Sequence, residues 1–278
     1  MPVIVSIFLG IVHGIAEFIP VSVSGHLSIL QNLLGLDYAE SDHLFFNVML
    51  NLGTLVSIFT VFKNELKNMI SDGLGFLRSR ADFDEPTLKP PARTLLFILL
   101  GTIPMLIVLI FAQRFGRLFY NTWFVGFALL VTGALLFVAD RYIKPGTIRD
   151  KNITIKDALM IGLVQAIAIL PGMSRSGATI SAGIARGFNK SFAVRFSIML
   201  SIPMLIGSTI WTLLRAISAG LDLSHLPAYF SGFIMTATVG YFAIQILRRI
   251  VASDGGLSKC AYYCWGVGVI AIVLTLAV

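Results

Sequence analysis

The sequence predicts an all-α integral membrane protein: six transmembrane helices plus two re-entrant helical hairpins, arranged as two inverted-topology repeats. Three observations lead there. The 278 residues are 56% hydrophobic and only 13% charged, against about 25% charged in ordinary soluble domains, and their mean hydropathy is +0.87. Six apolar stretches reach the length of a bilayer crossing, about 20 residues. A segment near the N-terminus, with its polar tip, recurs in the middle of the chain.

Taken in order, Met1 to Pro20 carries no basic n-region and no small-residue cleavage site, so the first apolar segment is expected to stay in the mature protein. Val3–Leu36 is apolar but interrupted by Pro20, Ser22, Ser24 and Gly25. The pieces on either side are too short to cross, which predicts a re-entrant hairpin. Its non-helical tip must be buried in protein or line a cavity. Crossings are expected at Leu44–Phe62, Thr94–Ala112 and Asn121–Ala139. Between the first two lies the Lys63–Arg93 loop; its RSRADFDEPTLKPPAR stretch is polar and proline-bearing and reads as a surface connection. Asp157–Gly187 is the second broken segment, centred on PGMSRSGAT at Pro171–Thr179. Crossings at Phe192–Leu214, Ala228–Leu247 and Ala261–Val278 complete the chain. Pro104 and Pro203 should kink their helices, and Arg195 should snorkel to the membrane surface. His43 and His225 fall in outer loops and read as solvated. Cys260 and Cys264 share a helical face with no third ligand nearby, and read as packing residues.

An offset of 152 positions lays Gly10–Gly25 on Gly162–Gly177. Identities fall at Gly10/Gly162, Val12/Val164, Ile15/Ile167, Ala16/Ala168, Ser22/Ser174, Ser24/Ser176 and Gly25/Gly177. Each half then holds one hairpin and three crossings. Three is odd, so the second half is inverted relative to the first, as in transporters with broken helices meeting near the midplane. This makes residues 1–278 a single membrane domain. Its first repeat is 1–139, with hairpin 3–36, and its second is 153–278, with hairpin 157–187.

Loop charge sets the orientation. Arg114, Arg117 and Arg215 fall on the side of the N-terminus, while nearly all other lysines and arginines fall opposite. The positive-inside rule then puts both termini outside and the Lys63–Arg93 loop in the cytoplasm. The formal net charge of +7 is accounted for by these loops, and no nucleic-acid partner is expected.

Chemistry is expected where the two S-x-S-G tips face each other. The first hairpin supplies Glu17, Ser22, Ser24 and His26, and the second supplies Gln165, Ser174, Arg175, Ser176 and Thr179. An arginine inside apolar sequence is costly and usually faces a partner or a water-filled cavity. Helix N-termini pointing at the midplane favour an anion, and a guanidinium forks onto phosphate oxygens. A phosphate site inside a membrane points to a lipid with a phosphorylated head, or to a soluble anion. The plainer reading stands beside it: Arg175 satisfies hairpin carbonyls, His13 and Glu17 neutralise one another one helical turn apart, and the serines cap helices.

EFIPVSVSGHL at Glu17–Leu27, PGMSRSGAT at Pro171–Thr179 and NVMLNLGTL at Asn47–Leu55 resemble the signature motifs of the undecaprenyl-diphosphate phosphatase (bacitracin-resistance) family. The resemblance covers nearly the whole chain. It implies hydrolysis of undecaprenyl diphosphate in the bilayer to undecaprenyl phosphate and inorganic phosphate. That step recycles the lipid carrier for peptidoglycan synthesis in the inner membrane. A divalent cation, Mg2+ or Ca2+, is implied by the resemblance. On these motifs Glu17 matches the second acid of the family's (E/Q)-x-x-x-E, His26 its histidine, Arg175 its arginine, and Ser174, Ser176 and Thr179 its remaining polar positions. Two positions depart from the pattern. His13 stands where the family has Glu or Gln, and Val23 interrupts the hydroxyl run between Ser22 and Ser24 at the proposed nucleophile.

These expectations assign roles. Arg175, the helix N-termini and the hydroxyls, with Gln165, hold the diphosphate. Glu17 is general base or metal ligand. His26 is nucleophile or general acid, and a water activated by Glu17 is the alternative nucleophile. A transporter or flippase of phosphorylated lipids or small anions, acting without hydrolysis, is the competing reading.

Overall fold

The computed structural model describes residues 1–34, 40–78, 90–112, 122–220 and 223–277. These form eleven helices: α1 (Val3–Phe18), α2 (Val23–Leu34), α3 (Glu40–Val61), α4 (Lys63–Arg78), α5 (Pro90–Ala112), α6 (Thr122–Arg141), α7 (Ile155–Ile167), α8 (Arg175–Ala185), α9 (Lys190–Ser218), α10 (Leu226–Ala252) and α11 (Gly256–Ala277). Six of them, α3, α5, α6, α9, α10 and α11, are long and apolar enough to cross a membrane. Their outward faces carry Leu106, Ile107, Ile210, Trp211 and Val273, all exposed. Apolar side chains on the outside of a bundle suit lipid as the solvent.

Packing is close where side chains are small. α1 lies against α10 and α3, α7 against α5, α3 against α9, and α6 against α11. A methyl on Gly10 of α1 would stand 2.7 Å from the carbonyl oxygen of Gly232 in α10, so the two backbones touch. Thr236 Oγ1 donates across the same seam to Gly10 O at 3.1 Å. Gly162 of α7 meets the Gly101 backbone of α5 in the same way. Between α6 and α11, Trp265 Nε1 donates to Leu130 O at 3.0 Å. α5 and α9 run through Pro104 and Pro203.

Acidic groups brace helix ends on one side of the bundle. Thr154 and Asp157 form a capping box at the start of α7, and Asp157 also pairs with Arg186 at 2.7 Å. Asp140 accepts from Ser258 N at 2.9 Å near the start of α11, where an anion is favoured by the unsatisfied N–H groups. Asp150 pairs with Arg195.

Three expectations change. The Lys63–Arg93 segment is not a connection throughout, since Lys63–Arg78 is the helix α4. Leu66 and Met69 pack inward, and Gly73 meets Leu95 of α5. An apolar stripe this narrow is hidden among the lysines, asparagines and acids that fill the rest of the helix. Arg195 does not simply snorkel: Asp150 holds its guanidinium, with Glu65 at 3.8 Å. His225 is not free in a loop, because it stands at the N-cap of α10 with its ring edge-on to Tyr229. The cysteines are free and buried, as expected of packing residues. Leu36, Arg114, Arg117 and the side chain of His43 lie outside the described residues.

Candidate functional site at the two serine turns

Two breaks in the helices build the site. α1 ends at Phe18, and Ile19 turns to extended backbone. Pro20 cannot extend a helix, and Ser22 takes φ +75°, the only non-glycine residue with positive φ among the described residues. A side chain in that region costs about 1–2 kcal/mol, and such strain is concentrated at functional sites. The second break follows Ile167, where Pro171 and Gly172 (φ +87°) reverse the chain before Ser174 caps α8.

The serines make matching contacts in both turns. Ser22 Oγ accepts from Gly25 N at 3.2 Å and lies 3.4 Å from Ser24 Oγ. Ser174 Oγ accepts from Gly177 N at 3.1 Å and lies 3.2 Å from Ser176 Oγ. The first serine of each turn therefore acts as a helix cap, as the plainer reading held. The turns also touch: Gly172 N donates to Ser24 Oγ at 3.2 Å, and Gly177 packs against Pro20. Ser174 N donates to Thr132 Oγ1 of α6 at 3.0 Å.

Arg175 is the first residue of α8, so its side chain leaves from the positive end of that helix. Its Nη2 donates to Glu17 Oε1 at 2.5 Å, with the two side chains 15% and 9% exposed. Glu17 therefore has Arg175 as its partner. His13 Nε2 is 3.8 Å from Glu17 Oε2, beyond hydrogen-bond distance. Among the described residues, Nη1 of Arg175 meets Met204 Sδ at 3.6 Å, a weak acceptor for a guanidinium. Thr179 Oγ1 bonds Arg175 O at 2.9 Å and Ser197 Oγ of α9 at 2.6 Å, tying the first turn of α8 to α9.

Two further candidates are buried and unsatisfied. Both ring nitrogens of His13 and both amide atoms of Gln165 have no hydrogen-bond partner among the described residues. A buried polar group without a partner costs about 1–3 kcal/mol. His26 turns elsewhere: its Nδ1 bonds Ser22 O and its Nε2 bonds Tyr263 OH of α11, each at 2.8 Å. Glu17, Arg175, both serine pairs and Thr179 thus belong to one connected set, and His26 joins it through Ser22.

Sequence reasoning missed four participants. Thr132, Ser197 and Met204 are polar or polarizable residues in otherwise apolar crossings, a weak signal. Tyr263 carried no signal at all.

The cation implied by resemblance is testable on the donor set. Arg175 takes Glu17 Oε1, while Oε2 has His13 Nε2 at 3.8 Å and no hydrogen bond among the described residues. No group of three His, Cys, Asp or Glu side chains able to hold a metal occurs among the described residues. The described residues therefore build no cage of three such side chains for a cation.

Six helices long and apolar enough to cross a membrane, with two polar turns and a largely buried Arg175–Glu17 pair between them, define a multi-pass membrane protein. Residues 6–270 match the family model described as bacitracin resistance protein BacA, and the chain belongs to that family. Curated relatives named undecaprenyl-diphosphatase include one from Methanosphaera stadtmanae, 36% identical over 99% of both chains. One from Halothermothrix orenii is 36% identical over 96% of both, and one from Methanobrevibacter smithii is 37% identical over 98% of both.

Proposed function

We propose that the protein hydrolyses undecaprenyl diphosphate to undecaprenyl phosphate and inorganic phosphate, and so recycles the lipid carrier of cell-wall synthesis and confers bacitracin resistance. Support comes from its family and from relatives that carry the undecaprenyl-diphosphatase name over nearly full length. The carrying observation is the Arg175–Glu17 pair at the junction of the two turns.

Diphosphate oxygens compete with Glu17 for the guanidinium. Arg175 and the unsatisfied N–H groups at the start of α2 and α8 hold the terminal phosphoryl group and the charge that develops on it. Glu17, released from Arg175, becomes a carboxylate able to take a proton from water. The attacking water oxygen forms the new bond to the terminal phosphorus; or Nε2 of His26 does so first, and water then attacks that phosphorus, breaks the Nε2–P bond and releases inorganic phosphate. The bond to the bridging oxygen breaks, and undecaprenyl phosphate leaves. Gln165 and His13 supply the polar contacts that their buried atoms lack. If the enzyme uses a divalent cation, Glu17 holds it, and the ion neutralises charge on the diphosphate.

The same reading takes residues 1–139 and 153–278 as inverted repeats, with re-entrant hairpins 3–36 and 157–187. It rests on the matched serine contacts. It rests also on paired packing, for α1 lies on α10 through Gly10 as α7 lies on α5 through Gly162. Both termini then face outward from the inner membrane, with α4 on the cytoplasmic side.

The test is phosphate release from undecaprenyl diphosphate by purified protein in liposomes. Release that disappears with Arg175→Ala supports the proposal. Substrate-dependent translocation of the lipid with no phosphate released would replace it with a transporter.

A further inference from the structure

The imidazole of His26 is hydrogen-bonded at both nitrogens. Nδ1 is 2.8 Å from Ser22 O, and a carbonyl oxygen only accepts, so Nδ1 carries the proton. In the neutral ring Nε2 is then the bare nitrogen. The group on it, Tyr263 OH at 2.8 Å, is the donor. The two rings are stacked, 5.5 Å apart and 5° from parallel, which fixes the plane in which the Nε2 lone pair lies. Ser22, whose carbonyl sets the proton, is the strained residue at φ +75°.

We infer that Tyr263 is a positioning residue, which with Ser22 O holds His26 in the Nδ1–H tautomer and aims the bare Nε2. The inference rests on the activity proposed above and sharpens one role within it. His26 enters the reaction as a nucleophile or a base, not as an acid, because Nε2 has no proton to give. As Nε2 takes a proton from water, or bonds to the terminal phosphorus while the bond to the bridging oxygen breaks and undecaprenyl phosphate leaves (water later cleaving the Nε2–P bond to release phosphate), the Tyr263 hydroxyl is released from it. The electron pair that accepted the hydroxyl proton becomes the new bond. Orientation of this kind is worth much in rate, since misplacement by about 1 Å costs on the order of a hundred-fold.

Two measurements on protein carrying 15N-histidine test this. In Tyr263→Phe the ring stays and the hydroxyl goes. The Nε2 resonance of His26, assigned by its loss in His26→Gln, is expected to move toward that of an unbonded pyridine-type nitrogen, with Nδ1 still protonated. In the phosphate-release assay the same variant is expected to lose about ten- to a hundred-fold in kcat with KM little changed. Tyr263→Leu, which also loses the stack, should match that kcat loss and melt at a lower temperature. An unmoved Nε2 resonance in Tyr263→Phe, or wild-type kcat in that variant, overturns the inference. A resonance that moves in a protein releasing no phosphate upholds the pairing and overturns the activity instead, so the two failures are distinguishable.

Discussion

Removing Arg175 should do two separable things, and a double variant separates them. The Arg175–Glu17 pair is short, at 2.5 Å, and both partners are largely buried. Breaking a buried pair from one side leaves the other charge without compensation and costs about 3–5 kcal/mol. Arg175→Met alone and Glu17→Gln alone should each lower stability by that order, read as a lower midpoint of thermal unfolding in detergent. The double variant removes both charges and keeps similar volume, so most of the loss should return. The coupling between the two sites should then be at least as large as one single loss, about 3–5 kcal/mol. Catalysis behaves differently, because the guanidinium is also the clamp on the transferring phosphoryl group. Loss of one such donor costs about a hundred- to a thousand-fold in kcat, and restored stability does not restore it. The double variant is therefore expected to be folded and inactive. A double variant that regains wild-type phosphate release would show Arg175 to be only the structural partner of Glu17. Single variants with unchanged melting would refute the buried pair itself.

Other expectations concern the turns and seams. Gly10→Ala places a methyl 2.7 Å from Gly232 O and should cost about 1–3 kcal/mol by forcing α1 off α10, whereas Gly75→Ala in α4 meets nothing within 4 Å and should gain about 0.5–1 kcal/mol from helix propensity. Both are read as shifts in melting. At Ser22, glycine should be tolerated better than alanine, because glycine relieves φ +75° while alanine keeps the strain and loses the cap, about 1 kcal/mol; equal stability of the two variants would contradict the strained turn. Val23→Ser restores a hydroxyl between Ser22 and Ser24 and should leave the rate of phosphate release nearly unchanged, since attack is assigned to His26 or to water. A large rise in that rate would move the nucleophile to the turn.

The membrane-crossing helices were legible because each is a continuous apolar run, and their ends moved only by short extensions such as Pro90 in place of Thr94. α4 was not legible, because its apolar stripe is a few residues wide and polar neighbours outnumber it. Glu17 and Arg175 were legible as costly charges in apolar surroundings, but not as partners, since 158 residues separate them. The expected neutralisation of Glu17 by His13 used the only neighbour that helical spacing reveals. The cap roles of Ser22 and Ser174 follow from their place before a short helix, which composition and spacing do show. The contact of His26 with Tyr263 spans 237 residues, and nothing about a tyrosine in an aromatic-rich crossing announces it. Long-range pairings are products of packing, and packing depends on which helices meet.

The central claim is chemical, and phosphorus NMR reads it directly. Undecaprenyl diphosphate in liposomes, with the purified protein, should show its two coupled diphosphate signals decay together. One lipid phosphomonoester and one inorganic phosphate should grow in equal amounts, with no growth when Arg175→Ala replaces the wild type. Diphosphate signals that persist with the wild-type protein, or decay equally fast with Arg175→Ala, would contradict the account.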